Sequence, residues 1–548
     1  MTKKQQTTIT LLSIVIMALL LLLSRRLALR FDLTASKAYT LSPVSRNLGN
    51  EIEETLRITY YRSAKLLSLY PEPLEIADFL REYEKRSAGK IQVTVKDPGQ
   101  GEDAERFGLV PQQLQNVEQD QASFSIIYSG LVIEYLDRYE TLPFVFSLDT
   151  LEYDVTSRIR TLISGKRREL GIMTPENQKD WNEYYGPFRD ALTQSGFIPL
   201  PLRSGAEIPD TLPALVVLGG VEELDETDLY RIDRYIQLGG SVLFAVEGVE
   251  VNLSGSWDAR LKTDRGLLAM LSSYGVTVGP SLVMDAAALP LPYRDPYTQR
   301  QQSIAYPFWV GVLETQGNPD HPITARFAGV DLYWASPLTL SPPGTVKGEI
   351  LFTSTNEAWL MTRDFAVNPQ PGLSFGGDET EKSQRILAAA LEGRFPSWFA
   401  GKEIPQLPEA GQWTEDNVWQ EEESGSPEGL PEGLPAMPLE TKPARIIVIG
   451  DADMGSFLVQ VTQRYQSLNL NFLLQTADWL GKDDDIVGIR NRSGGSGRLD
   501  RISDEGRRFG MMSFSRILNI FLVPILIIIY GAARLLKRKY KKEQDHAL

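Results

Sequence analysis

The chain contains no cysteine and only two histidines among its 548 residues. The first absence excludes disulfides, thiolate nucleophiles and cysteine-ligated zinc. The second leaves little for histidine chemistry. His546 sits in a basic tail, and His321 lies in the turn-like stretch Asn318-Pro319-Asp320-His321-Pro322, where a structural or exposed histidine is expected over a general base. A Ser-His hydrolase is therefore disfavoured. A phosphate-cradling loop is missing as well. The Gly-Lys pairs at 89–90, 165–166, 401–402 and 481–482 are followed by Ile, Arg, Glu and Asp, where a Walker A motif requires Ser or Thr. Any ATP hydrolysis belongs to a partner.

Positive charge is scarce where nucleic acid would need it. The net charge is -15. Lys3, Lys4, Arg25, Arg26 and Arg30 against Asp32 make residues 1–33 net positive. Arg534, Lys537, Arg538, Lys539, Lys541 and Lys542 against Glu543 and Asp545 do the same for residues 534–548. The body between is more acidic than the total, which argues against binding phosphates.

Two long uncharged runs stand at the ends. Residues 7–24 (TTITLLSIVIMALLLLLS) reach the minimum span of a bilayer core, and Arg25-Arg26 follow in place of a small-residue cleavage site, so an uncleaved anchor is expected. Residues 517–533 (ILNIFLVPILIIIYGAA) make the second run, with a basic tail behind it. The positive-inside rule places that tail in the cytoplasm, hence both termini there and the acidic body outside. The expected compartment is the cytoplasmic membrane of a bacterium.

Between the anchors the pattern is α/β. Leu56–Tyr61 and Ile91–Val95 read as strands, Pro71–Lys85 and Leu151–Ser164 as helices, and Ser123–Tyr135 as a hairpin turning at Ser129-Gly130. Then apolar strands alternate with amphipathic helices: Glu169–Met173, a helix near Tyr184–Ser195, Phe197–Leu202, and Ala214–Leu218 closed by Gly219-Gly220. Asp225 is placed to cap a helix carrying Leu229, Ile232 and Ile236, followed by Ser241–Val246. Such alternation implies a parallel sheet covered on both faces. Thr380–Leu391 reads as a helix, Arg445–Ile449 as a strand and Asn469–Leu480 as a helix; Val251–Phe352, rich in proline and aromatics, gives no clear pattern. The expected organisation is 1–33 as cytoplasmic N-terminus and first anchor, 34–165 as a small α/β domain and 166–400 as the central α/β domain. It continues with 401–443 as a mobile Pro/Glu/Gly-rich loop, 444–490 as the closing strand and helix, 491–513 as a tether, and 514–548 as second anchor and basic tail.

The carboxylates left for chemistry are Asp451 with Asp453, at the end of "RIIVIGDADM", and the run Asp483-Asp484-Asp485. Ligands of open α/β sheets bind at carboxyl strand ends, so the first pair is a magnesium or calcium candidate. With no histidine, cysteine or basic residue nearby in sequence, a turn is favoured, with Asp453 capping the next helix. The acidic run reads as a solvated turn, and Gly219-Gly220 as a strand-to-loop turn lacking G-x-G-x-x-G. No residue is assigned a catalytic role and no cofactor is expected.

Several segments in order carry a resemblance: Leu33–Pro43 (LTASKAYTLSP), Leu151–Ser164, the Gly-Gly helix unit, Ala388–Pro405 (AAALEGRFPSWFAGKEIP), Arg445–Asp453, and Asn471–Gly488 (NFLLQTADWLGKDDDIVG). Together they resemble the GldG-like family, auxiliary components of an uncharacterised ABC-type transport system linked in some bacteria to gliding motility. The resemblance implies a non-ATPase membrane subunit beside an ABC ATPase and a polytopic permease, with a sheet similar to amidotransferase or flavodoxin folds. Contacts with cell-envelope components are a further implied role. Two rival readings stay open. One is a free-standing extracytoplasmic sensor or sugar-binding protein, suggested by the aromatics around Tyr293–Trp309; the other is a metal-dependent hydrolase using Asp451 and Asp453.

Overall fold

A computed structural model describes residues 40–493, apart from 100, 119–120, 254–256, 295–298, 370–380, 407–432 and 463–466. Both uncharged terminal runs, most of the 401–443 loop and the tether beyond 493 lie outside the described residues. Among those described, no helix is long and apolar enough to cross a membrane.

The N-terminal lobe pairs β1 (Leu56–Arg62) in parallel with β2 (Ile91–Lys96) and antiparallel with β3 (Ser129–Tyr135), which pairs with β4 (Arg138–Leu142). Helices α1 (Pro43–Glu51), α2 (Glu72–Arg86) and α3 (Leu151–Ser164) accompany the sheet, and Ile58, Tyr60, Ile76, Leu80, Ile133, Val155 and Ile159 share one core. The expected hairpin at Ser129-Gly130 does not form. Gln121–Ile127 pairs instead with Gln112–Glu118, and the chain crosses at Tyr128 into the other sheet. Gly130 is needed for close approach: a Cβ there would lie 2.8 Å from the Leu142 carbonyl oxygen and 2.9 Å from that of Pro143. A glycine between two alternating runs looks the same in either case, which is why the sequence misleads.

The central lobe is built on a nine-stranded mixed sheet. Its strands are β5 (Glu169–Met173), β6 (Ile198–Pro201), β7 (Ala214–Leu218), β8 (Ser241–Ala245), β9 (Val276–Val278), β10 (Leu338–Leu340), β11 (Lys347–Thr353), β12 (Ile386–Gly393) and β13 (Ala444–Ile449). One half is parallel, in the spatial order β6-β5-β7-β8-β13. Numbered along the chain this is 2-1-3-4-5, the flavodoxin-like order with its switch point between β5 and β7. The other half corrects the expectation of a parallel sheet: β12 runs antiparallel to β13, and β9, β10 and β11 extend the sheet antiparallel.

The strands of the parallel half are buried on both faces, which is why they read as continuous apolar runs. On one face α4 (Gly186–Gln194) and α7 (Ser467–Leu480) set Phe188, Leu192 and Leu473 against Ile172, Leu243 and Ile447. On the other, α5 (Glu226–Gln237) and α6 (Leu267–Tyr274) set Ile232, Ile236 and Met270 against Val217, Phe244 and Val448. Each such fully buried side chain contributes about 1.5–3 kcal/mol of transfer free energy. Asp225 does cap α5, accepting the Thr227 and Asp228 N–H groups at 2.8 and 2.9 Å.

The stretch expected as a helix at Thr380–Leu391 supplies β12. Ala388, Ala389 and Ala390 face Ile449, Val448 and Ile447 across the ladder and are buried on both faces of the sheet. Small residues fit that crowded position, and pairing on both edges overrides alanine's helix preference. Between Val249 and Met361 the chain forms small antiparallel sheets around Tyr306, Phe308, Trp309, Tyr333 and Trp334. A last helix, α8 (Asp484–Ser493), takes the first residues of the expected tether. The described residues between 40 and 493 belong to one compact unit.

Candidate functional site

The loops leaving the parallel strands bring charged groups to one place. Three residues past β5 stands Glu176, and Lys179 follows it. Two residues past β8 is Glu247, and two past β13 is Asp451, then Asp453. Lys262 arrives from the hairpin Val249–Asn252/Asp258–Leu261, with its own N–H on the Gly248 carbonyl at 3.0 Å. The cluster therefore sits at the carboxyl ends of the strands, with β5 and β7 at the switch point where open α/β sheets place ligands.

The cluster is a closed net of ion pairs. Lys179 Nζ lies 3.0 Å from Asp453 Oδ1, 3.3 Å from Glu176 Oε2 and 3.4 Å from Glu247 Oε1. Lys262 Nζ lies 2.5 Å from Glu176 Oε1 and 2.8 Å from Glu247 Oε1. The Tyr184 hydroxyl donates to Asp453 Oδ1 (3.0 Å), and the Ala452 N–H donates to Glu247 Oε2 (2.9 Å). Asp451 accepts the Tyr333 N–H on one oxygen and the Asp453 N–H on the other, both at 2.7 Å. The sequence expectation for this pair thus needs two corrections. A basic partner is present, since Lys179 folds in from 274 residues upstream of Asp453. And Asp453 caps no helix; Asp451 holds the turn, while Asp453 faces the lysine.

Two glycine features shape this place. Gly219 and Gly220 have φ of +76° and +89°, and a Cβ on Gly219 would stand 2.4 Å from Glu176 Oε1. Gly450 lies against the Ser336 backbone: a Cβ would fall 2.0 Å from its carbonyl oxygen, and the Ser336 N–H donates to Gly450 O at 2.7 Å. Gly450→Ala is accordingly expected to cost about 1–3 kcal/mol through a clash that backbone cannot evade, read as a lower urea midpoint with unchanged slope.

The electrostatics describe what the groups do. Burial opposes the charge of Lys179, but Asp453, Glu247 and Glu176 together hold it well above the ordinary lysine range. It stays an ammonium, neither a base nor a nucleophile. Burial likewise disfavours ionised Glu247, yet Lys179 and Lys262 pull it down to about 2. Asp451 goes the other way: burial, and then the neighbouring Asp453 carboxylate, push it well above the usual carboxylate range. Four carboxyls against two lysines leave an excess of negative charge, felt most by Asp451, the most enclosed of them. Among the described residues no group of three or more His, Cys, Asp or Glu is arranged to hold a metal ion.

Other sequence candidates are placed elsewhere. His321 is buried, accepts the Ile323 N–H on Nδ1 (3.2 Å), and packs 5.2 Å from Trp479; burial pushes it down to about 4, so the ring is neutral at physiological pH. The run Asp483–Asp485 is more than a solvated turn. Asp483 and Asp485 reach Arg160 at 2.9 and 3.1 Å, and Asp484 reaches Arg445 at 2.7 Å, tying α8 to α3 and β13. Tyr306, Phe308 and Trp309 are core residues, unavailable as stacking platforms for a sugar. A cleft of about 230 Å³ lies at the opposite, amino ends of the strands, lined in part by Arg160, Lys166, Arg167, Arg168, Asp478 and Asp483.

Among known proteins, an uncharacterized protein of Borreliella burgdorferi is 23% identical over 526 residues, covering 93% of each chain. Two solved structures show weak likeness. A ThuA-like protein of Parabacteroides merdae is 13% identical, covering 34% of this chain and 68% of its own, with a TM-score of 0.21. The exo-beta-1,4-mannosidase Op5Man5 of an Opitutaceae bacterium is 9% identical, covering 74% of this chain and 49% of its own, with a TM-score of 0.23. Neither superposes well enough to carry a functional argument. A family described only as a domain of unknown function matches residues 35–134, most of the N-terminal lobe. Residues 167–480, more than half of the sequence and nearly all of the central lobe, match the family described as an ABC-type uncharacterized transport system, and the chain belongs to that family.

Proposed function

We propose that the chain is a non-catalytic, membrane-anchored auxiliary subunit of an ABC-type transport system. In this reading the runs 7–24 and 517–533 anchor it in a bacterial cytoplasmic membrane, with both termini inside and the acidic body outside. An ABC ATPase and a polytopic permease are its partners, as in the GldG-like systems it resembles. The observation that carries the reading is the family match across the central lobe. The strand-end chemistry supports the non-catalytic part: the lysines are held charged between carboxylates, and both Asp451 oxygens are taken by backbone N–H groups. Neither rival has an observation of its own. Tyr306, Phe308 and Trp309 of the stretch that suggested a sugar site are buried, and a hydrolase would have to free Asp453 from Lys179.

Purification of the full chain from native membranes in mild detergent tests this. Recovery of a Walker A protein together with a polytopic membrane protein is the expected result. A chain recovered alone, with membranes and detergent both gentle enough to preserve other transporters, overturns it.

A further inference from the structure

The two ends of the described chain come to the same end of the N-terminal lobe. At the entry, the Ser42 N–H donates to Glu152 Oε1 (2.5 Å) and the Ser45 hydroxyl meets that of Thr156 (2.8 Å), so the start of α1 lies on the first turns of α3. At the exit, α8 runs antiparallel along α3. Its beginning is held at Arg160 by Asp483 and Asp485, while Arg490 further on stacks 3.6 Å over the Tyr153 ring near the start of α3. Ile486 and Ile489 of α8 share a small core with Tyr153 and Val44 of α1. Entry and exit thus converge beside the amino end of α3.

That same end carries a group of exposed apolar side chains. Six of the fifteen large apolar side chains exposed among the described residues are Leu67, Leu69, Leu74, Val110, Ile126 and Phe144. Short contacts gather their segments around the carboxyl end of β1. Ser63 and Tyr128 exchange hydrogen bonds (3.0 and 2.9 Å), Arg62 donates to Pro73 O (3.1 Å), and Val110 N–H reaches Pro143 O (3.4 Å). Tyr70 meets Phe146 ring to ring at 5.1 Å, and Phe146 stacks with Phe144 at 6.1 Å. Val145 N–H bonds Ser129 O at 2.6 Å, and Val145 shares the lobe's core with Leu41, next to the entry. Scattered apolar residues on a surface need no explanation; a group gathered at one end does.

We infer that this end of the N-terminal lobe rests on the lipid bilayer, with Leu67, Leu69, Leu74, Val110, Ile126 and Phe144 entering its interfacial layer. The inference rests on the anchoring reading above and deepens it. Along the chain the uncharged runs 7–24 and 517–533 stand beyond these two ends, and on the anchoring reading both runs lie in a bilayer. Leucine, isoleucine and phenylalanine are the side chains that lie at the headgroup boundary in peripheral membrane contacts. The strand-end ion-pair cluster is then turned away from the membrane. Arg168, at the amino end of β5, bonds the Tyr153 hydroxyl at 3.0 Å, so the N-terminal lobe joins the central sheet at its amino ends, opposite the cluster.

The absence of cysteine makes the test direct, because any single cysteine introduced is the sole labelling site. The full chain carrying Leu67→Cys, Ile126→Cys or Phe144→Cys is labelled with an environment-sensitive fluorophore. It is then reconstituted in phosphatidylethanolamine–phosphatidylglycerol vesicles containing headgroup spin-labelled lipid. Leu261→Cys, beside Lys262 at the far strand ends, reports the opposite end, and Leu19→Cys reports the anchor. Expected is a loss of fluorescence at positions 19, 67, 126 and 144 and none at 261. Quenching at 19 alone leaves anchoring intact and overturns the bilayer contact. No quenching at 19 removes the anchoring reading, and the contact with it. Shielding of 67, 126 and 144 that occurs only when transporter subunits are co-reconstituted assigns the surface to a protein partner and also overturns the proposal.

Discussion

Lys262→Met is expected to destabilise the chain by about 3–5 kcal/mol at neutral pH, the usual cost of leaving a buried charge without its partner. The Lys262 side chain is 2% exposed and is shared by Glu176 and Glu247, which are themselves nearly buried. Methionine keeps the stem's packing but removes the ammonium, so Lys179 alone faces Glu176, Glu247 and Asp453. The pH dependence identifies the cause. In the native chain Glu247 is depressed to about 2, so the stability it contributes is full above the ordinary glutamate range and is lost as pH falls from there through about 2. In the variant Glu247 and Asp453 are buried with too little positive charge, so their folded values lie above their unfolded ones. The folded state then binds more protons than the unfolded state, and stability recovers as pH is lowered from 7 towards 5. Urea midpoints of the purified full chain across that range give the answer. A loss independent of pH would mean that packing of the stem, and not the charge net, carries the effect.

Adding Glu176→Gln to Lys262→Met should restore part of the loss, since one uncompensated carboxylate is removed along with the cation. That non-additivity separates a coupled net from independent pairs, because residues sharing partners show interaction energies of about 0.5–3 kcal/mol. The same net explains why Asp451 and Asp453 behave differently despite standing two residues apart. One accepts two backbone N–H groups inside a turn, the other meets an ammonium.

How far the sequence revealed this site depended on distance along the chain. The parallel strands were legible because runs such as Ala214–Leu218 are buried on both faces and bounded by glycine. Asp451 and Asp453 were legible as strand-end acids. Their partners are legible by the same rule, since Glu176 and Glu247 follow strands β5 and β8 by three and two residues, as Asp451 follows β13. Reading the first charged residue after each buried strand would have gathered the carboxylates. Lys262 gave no such signal, since it follows an edge hairpin whose position only the fold settles. The alanine strand β12 reads as a helix for a related reason: Ala388–Ala390 says small and apolar, and only the strands on either side make it extended. The antiparallel half of the sheet, drawn from segments between 276 and 393, carries no regular alternation with helices that would announce it.

Asp478→Ala is expected to be comparably costly, and its effect should spread to the exit of the chain. The Asp478 side chain is fully buried in α7, where one oxygen accepts from Arg168 and from the Tyr153 hydroxyl (3.0 Å) and the other from Arg490 Nε (2.7 Å). Arg168 also stacks 3.8 Å over Phe197, and Arg490 3.6 Å over Tyr153. Removing the carboxylate leaves two guanidinium groups packed against the same tyrosine without the counter-charge they share, a loss of about 3–5 kcal/mol. The groups set free belong to α3, β5's approach and α8, so hydrogen exchange should accelerate first in α3 and α8, ahead of the central strands. Replacing the whole arrangement by apolar groups, Asp478→Leu with Arg168→Met and Arg490→Met, should recover part of the stability, as exchanged buried ion pairs often do. Global stability lost with α3 and α8 still protected would show that the triad supports the central lobe alone. The predicted pattern would make it the clasp that holds the outgoing helix against the N-terminal lobe, and so fixes where the chain leaves the body.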